Sequence, residues 1–177
     1  MALSDCALVS GYTYDCRSDV GGIKTIDIVE TSAISSFTYA SGTCSAIVMN
    51  SGKKYYTFAL EQATCTANDD LKTNPANGTY YIEQKFNLIV NKRSASFSYY
   101  MKNLAQNNLS AIFTTNDETP RYFIGGLSNG FKLQDGTSGF GTALGDRSGY
   151  ELNFKADEVI PFLQISAAIH TQLMSPA

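Results

Sequence analysis

The sequence predicts a mainly β protein, a β-sandwich or half-barrel with one flanking α-helix, and three observations carry that reading. Several segments alternate apolar and polar side chains with the period of two that a half-buried strand requires. Charged residues make up only 16% of the 177-residue chain, while Tyr (11) and Phe (10) are abundant, a composition that suits pleated strands and turns better than surface helices. Only one segment, around residues 97–104, switches clearly to the helical period. The length fits a single domain with a core large enough to need neither disulfides nor metals.

Taken in order, the polar approach from Gly11 ends in Gly21-Gly22, and an alternating strand follows, with Ile26 and Ile28 against Thr25 and Asp27. Lys53 to Leu60 alternates next, placing Tyr56, Phe58 and Leu60 on one face and Tyr55, Thr57 and Ala59 on the other. Tyr80 to Val90 is the clearest strand. Tyr80, Ile82, Phe86, Leu88 and Val90 share a face that Gln84 interrupts, and Glu83, Lys85 and Asn87 occupy the opposite one. Between these two strands, Cys65 to Gly78 reads as a long polar hairpin loop closed by Asn77-Gly78. Most hairpin loops take two to five residues, so this one is a candidate contact arm.

Phe97, Tyr100, Met101 and Leu104 then follow the i, i+3, i+4, i+7 spacing of one apolar helical stripe, with Asn91 or Ser94 as the N-cap and Asn107-Asn108 as the end. Strands return at 109–114 and 121–124, and Asn129-Gly130 marks a turn before Phe131 to Leu133. A glycine-rich connection, Asp135 to Gly149, leads into alternation at Tyr150, Leu152 and Phe154. Val159 to Ile165 reads as a last strand. The expected domain is 1–165, followed by an extended tail, 166–177.

The net charge of −3 argues against a duplex-DNA binder that works by neutralising phosphates. Cys6, Cys16, Cys44 and Cys65 form no CxxC unit, and with His170 as the single histidine no zinc site of ordinary spacing exists. Reduced thiols are the default, with Cys6–Cys16 or Cys44–Cys65 pairing left open. No basic-then-apolar leader is seen, and no apolar run reaches membrane-spanning length. Gly136, Gly139, Gly141 and Gly145 fail both the dinucleotide and P-loop spacings and lead into a strand, so a structural loop is expected. His170, in a tail and without a G-x-S-x-G elbow elsewhere, reads as solvated rather than as a general base. Asp69-Asp70 reads as a solvated acidic tip. Tyr56, Phe58, Tyr80 and Phe86 are assigned to the core, whereas Tyr55, beside Lys53 and Lys54, is a candidate interface anchor. No cofactor, metal or catalytic constellation emerges, and the chain is not expected to be an enzyme.

The stretches Gly11 to Glu30, Gly52-Lys-Lys-Tyr-Tyr-Thr-Phe-Ala-Leu-Glu61, Tyr80 to Lys92 and Gly141 to Phe154 resemble tail-tube and tail-ring structural proteins of tailed phages that infect Bacteroidetes. The resemblance spans roughly Ser4 to Phe154. It implies a tail-tube-like fold, homo-oligomeric rings of six subunits that stack into a tube, contacts with other phage tail proteins, and phage DNA passing through the lumen without specific binding. It also implies residence in the virion tail, with host cytoplasm as the place of assembly and no membrane partner. In that frame the arm would bridge rings, with Asn68, Asp69, Asp70, Leu71 and Asn74 as inter-ring contact candidates. Low surface charge favours association in general. Two alternatives stand beside this: a neck or tail ring or capsid decoration protein of a phage, and a monomeric carbohydrate-binding β-sandwich.

Overall fold

A computed structural model describes residues 11–12, 20–61 and 64–176. The chain is mainly β and folds as two sheets packed face to face with a helix on one flank, as the sequence predicts. The larger sheet holds seven strands and the smaller four. The first strand, β1 (Ile23–Glu30), is central, paired antiparallel on both sides. Ile26 and Ile28 face one way and Asp27 and Val29 the other, and all four are buried because both faces of the sheet are covered.

A 3₁₀ turn at Thr31–Ala33 leads to β2 (Ile34–Ala40) and β3 (Thr43–Met49). Ser41 and Gly42 both have positive φ (49° and 79°), the geometry of a two-residue primed turn whose twist matches the flanking strands. Then come β4 (Tyr56–Ala59), β5 (Ala67–Asn74) and β6 (Thr79–Val90). The expected long loop before Asn77-Gly78 is thus mostly strand. Asn, Asp, Lys and Ala are poor strand formers alone, but pairing with the strongly alternating β6 overrides their propensity, and only residues 75–78 turn.

Helix α1 (Ala95–Gln106) starts where Ser94 Oγ accepts the Phe97 N–H at 3.1 Å, which settles the choice of cap. Beyond it lie β7 (Leu109–Thr115), β8 (Tyr122–Gly125), β9 (Lys132–Gly139) and β10 (Gly149–Glu158). The first part of the expected glycine-rich connection, Asp135 to Gly139, therefore belongs to β9, paired with β10. Gly149 is demanded by close approach, since a Cβ there would sit 2.0 Å from the Val90 carbonyl oxygen.

Of the expected last strand only β11 (Leu163–Ile165) forms. The expected extended tail is instead helix α2 (Ala167–Leu173), capped by Ser166 Oγ, which accepts the Ile169 N–H at 3.3 Å. The strand orders are β2-β3-β11-β8-β7-β1-β4 and β5-β6-β10-β9, with β3 and β11 the parallel pair.

One core lies between the sheets, where Ile26, Ile28 and Phe113 meet Phe86, Leu88, Leu152 and Phe154, and α1 adds Phe97 and Leu104. The Phe86 and Phe154 rings stack at 4.6 Å. Gln84 interrupts this apolar face for a reason. Its amide donates to the Ile160 carbonyl and accepts from the Gly126 N–H, both at 3.0 Å, tying the smaller sheet to the loop before β11. A second core covers the opposite face of the seven-stranded sheet, where Val29, Ile112, Ile124 and Leu163 meet Cys44, Ile47, Tyr55 and Leu173.

Tyr55 is therefore not an interface anchor. It is 1% exposed, and its hydroxyl donates to Ser110 Oγ at 2.9 Å. Burial raises its pKa further above the ordinary tyrosine value. Cys44 and Cys65 are free and lie in different cores, so the Cys44–Cys65 pairing is excluded. Cys6 and Cys16 lie outside the described residues.

Candidate functional site

The β5–β6 hairpin runs beyond the sandwich that covers it. On its inner face Phe86, Gln84 and Ile82 are buried in turn, opposite Ala67, Asp69 and Leu71. Past that point the cover ends, and Leu71 and Tyr80 are each 65% exposed although they continue the core-facing row. Every residue from 73 to 81 is exposed. Tyr80, expected in the core, thus stands outside it, and so does Tyr56. Alternation reveals which face a side chain is on, but not where along the strand the facing layer stops.

The base of the hairpin is fixed on both faces. Inside, Asp69 Oδ2 accepts the Phe162 N–H at 2.7 Å, and burial raises the Asp69 pKa against the pull of that bond. Outside, Asp70, Lys72, Glu83, Lys85, Lys155 and Asp157 alternate in sign across three strands, with Lys85 to Asp70 at 3.1 Å and Lys72 to Glu83 at 3.8 Å. Lys155 first, then Lys85, pull the Glu83 carboxyl down to about 2.

Four of the five contact candidates thus have their settings defined: Asp69 and Asp70 are engaged within the subunit, and Asn74 shapes the turn by accepting the Ala76 N–H at 3.2 Å. Leu71 alone of these is an apolar side chain displayed to solvent. Asn68 is exposed on the strand.

At the opposite end of β6 a groove of about 660 Å³ opens between α1 and the β1–β4 edge of the larger sheet. Ile28, Phe58 and Leu104 form its apolar floor, and half-exposed Tyr56 and Tyr100 stand at its rim with Asn103. Its one charged lining residue, Glu30, is paired with Lys53 at 4.0 Å. β4 ends the sheet order, so among the described residues one flank of its backbone has no strand neighbour, an arrangement open to pairing. The helical stripe foretold Phe97 and Leu104 correctly, but Tyr100 lines the groove instead of filling the core.

Elsewhere His170, Asp146 and Glu158 are engaged within the subunit. His170, expected to be solvated, packs on Tyr122 with ring centres 4.1 Å apart, and its Nε2 lies 2.9 Å from Oδ2 of buried Asp27. Thr57 Oγ1 donates to the other Asp27 oxygen at 2.6 Å, joining β1, β4, β8 and α2. This is half of a base-and-orienter pair, yet no hydroxyl or thiol among the described residues hydrogen-bonds to the imidazole.

In the β9–β10 loop, Asp146 Oδ2 accepts the Thr142 and Ala143 N–H groups at 2.7 Å, filling with its own carboxylate the place a phosphate would take. Those two bonds lower the Asp146 pKa. Glu158 Oε1 does the same for Ser128, Asn129 and Gly130, at 2.9–3.2 Å. Among the described residues no group of three His, Cys, Asp or Glu is placed to hold a metal. No described helix is long and apolar enough to cross a membrane. Comparison with protein-family models, with curated proteins and with solved structures gave no match.

Proposed function

We propose that this protein is a virion structural subunit that assembles with itself into rings, six subunits to a ring, stacked as a phage tail tube through which DNA leaves the capsid. The observation that carries the self-assembly reading is the overhanging hairpin, whose core-facing row continues into solvent at Leu71 and Tyr80. A two-stranded ribbon is marginal in water by itself, so displayed apolar side chains at its tip call for a covering partner. Edges left unpaired among the described residues at β2, β4, β5 and β9 supply further places where copies can join. Ring, tube and virion come from the sequence resemblance, and other tail proteins would be the partners at the tube ends. A neck or tail ring, or a capsid decoration role, would use the same surfaces in a single layer.

The deciding experiment is negative-stain microscopy of concentrated pure protein alongside sedimentation across a wide concentration range. Stacked rings are the expected result, a single ring layer would favour the neck or tail-ring role, and a monomer at every concentration would overturn assembly. Tyr56 and Tyr100 at the groove rim favour one second reading, a monomeric carbohydrate-binding sandwich, since exposed rings can stack on sugars. It predicts a one-chain mass together with measurable glycan affinity.

A further inference from the structure

The self-assembly reading leaves open which surface receives the hairpin tip. The tip and the groove lie at opposite ends of one strand. β6 begins at Thr79, beside the turn, and ends at Val90, which lines the groove. Its 12 residues rise about 3.3 Å each, so the two features are roughly 36 Å apart. A hairpin whose base is pinned by Asp69 and the outer ion-pair ladder cannot fold back over that distance onto its own groove.

We infer that the tip of one copy, led by Leu71 and Tyr80, docks into the α1–β4 groove of a second copy, joining subunits head to tail along the β6 direction. This rests on the self-assembly reading and assigns its two mating faces.

The chemistry of the faces agrees. From 73 to 81 the tip holds no Asp, Glu, Lys or Arg. The groove has an apolar floor, and its one charged lining residue already has a partner, so docking strands no bare charge in a dry interface. Two apolar side chains reach forward on one face of the tip, and half-exposed Tyr56 and Tyr100 are placed to close around them. The flank of β4 that pairs with no strand among the described residues lies beside the groove, within the reach of a strand that enters it.

Size sets the character of the contact. About ten residues of tip fall well short of the 20–30 per side of a standard stable interface, so one junction is weak. Different patches meet at each junction, which makes the contact heterologous, and such contacts propagate or close instead of stopping at a pair. Growth should therefore be steeply concentration-dependent.

The test uses two full-length variants. Leu71→Ser with Tyr80→Ser removes the tip and spares the groove, while Asn103→Arg places a charge at the groove rim and spares the tip. Sedimentation velocity and native mass spectrometry are run on each alone and on an equimolar mixture, with circular dichroism confirming the fold. Each variant alone should need at least about tenfold more protein than wild type for the same growth. Mixing should restore a single junction, because the intact tip of one variant fits the intact groove of the other, and the mixed species should have twice the mass of either alone.

Wild-type growth by the Asn103→Arg variant would overturn the groove assignment while leaving self-assembly standing. Loss of growth in both variants with no junction on mixing would also overturn it. A wild-type chain that never assembles would instead overturn the underlying reading.

Discussion

Replacing His170 with alanine should destabilise the chain far more than a tail histidine would. Asp27 is 1% exposed, and its carboxylate has two side-chain partners, Thr57 at 2.6 Å and His170 at 2.9 Å. Losing a hydrogen bond to a buried carboxylate costs roughly 1.5–3 kcal/mol, because the vacated oxygen is left without a partner. The His170 side chain is 19% exposed, which lets water reach that oxygen and places the cost near the lower end, about 1.5–2 kcal/mol. Loss of the stack on Tyr122 adds about 0.5–1 kcal/mol. A chain of this size shifts its melting temperature by roughly 2–4 °C per kcal/mol, so a fall of about 4–12 °C is expected.

Urea denaturation of dilute protein, below the concentration of assembly, measures the loss directly. The control is Asp27→Asn combined with His170→Ala. It removes the carboxylate that lost its partner, and about 1 kcal/mol should return, as a coupling between contacting groups. A single variant within about 0.5 kcal/mol of wild type, or a double variant as unstable as the sum of the singles, would refute the argument that the pair pins α2 onto the larger sheet.

Other consequences are equally open to measurement. Glu83 has its folded pKa depressed from 4.5 to about 2, so its contribution is present at neutral pH and is lost as pH falls from about 4.5 towards 2. Melting temperature against pH should therefore drop across that window in wild type and drop less steeply in Glu83→Gln, where Asp117 and Asp146, whose pKa values their hydrogen bonds also lower, still titrate. Gln84→Leu leaves the Gly126 N–H and the Ile160 carbonyl without partners in the core, a loss of about 1–3 kcal/mol per group in urea denaturation. Ser94→Ala removes the cap of α1 and should cost about 1 kcal/mol by the same assay. Gly149→Ala drives a Cβ against the Val90 backbone carbonyl and should abolish the native spectrum or lower the melting temperature sharply, since no side chain can move aside.

Sheet patterning was legible wherever one face was wet. β6 and β10 showed their alternation in full, and α1 showed both its stripe and its cap. β2 and β3 were passed over, although Ser41-Gly42 stands between them, because their side chains are mixed on both faces and most are exposed. β5 was read as loop because its residues are polar, and what makes it a strand is a non-local partner that single-residue propensity does not register. Helix α2 was missed for a related reason. Seven residues nucleate no helix alone, and this one is held by Leu173 in the second core and by His170 on Asp27, 143 positions away in sequence. At the candidate site, Leu71 was found by position, whereas Tyr80 and Tyr56 were sent to the core. Whether a side chain on an apolar face is covered depends on the length of the opposing layer, which only the assembled sandwich reveals.

The same layout explains how assembly can be separated from folding. Everything that anchors the hairpin lies at or below Lys72 and Glu83, where Asp69 reaches the Phe162 backbone and the lysine–carboxylate ladder crosses three strands. What it displays is Leu71, opposite Ile82 at the margin of the cover, and the stretch above, residues 73–81, which holds no charge and no buried residue. Polar substitutions at Leu71 and Tyr80 therefore remove no packed atoms from the core. They should leave the single-chain melting temperature close to wild type, since exposed positions usually shift stability by no more than about 0.5 kcal/mol. If they lowered it by several degrees, the tip would be packing on its own sandwich, and its exposed apolar row would need an account that involves no second copy.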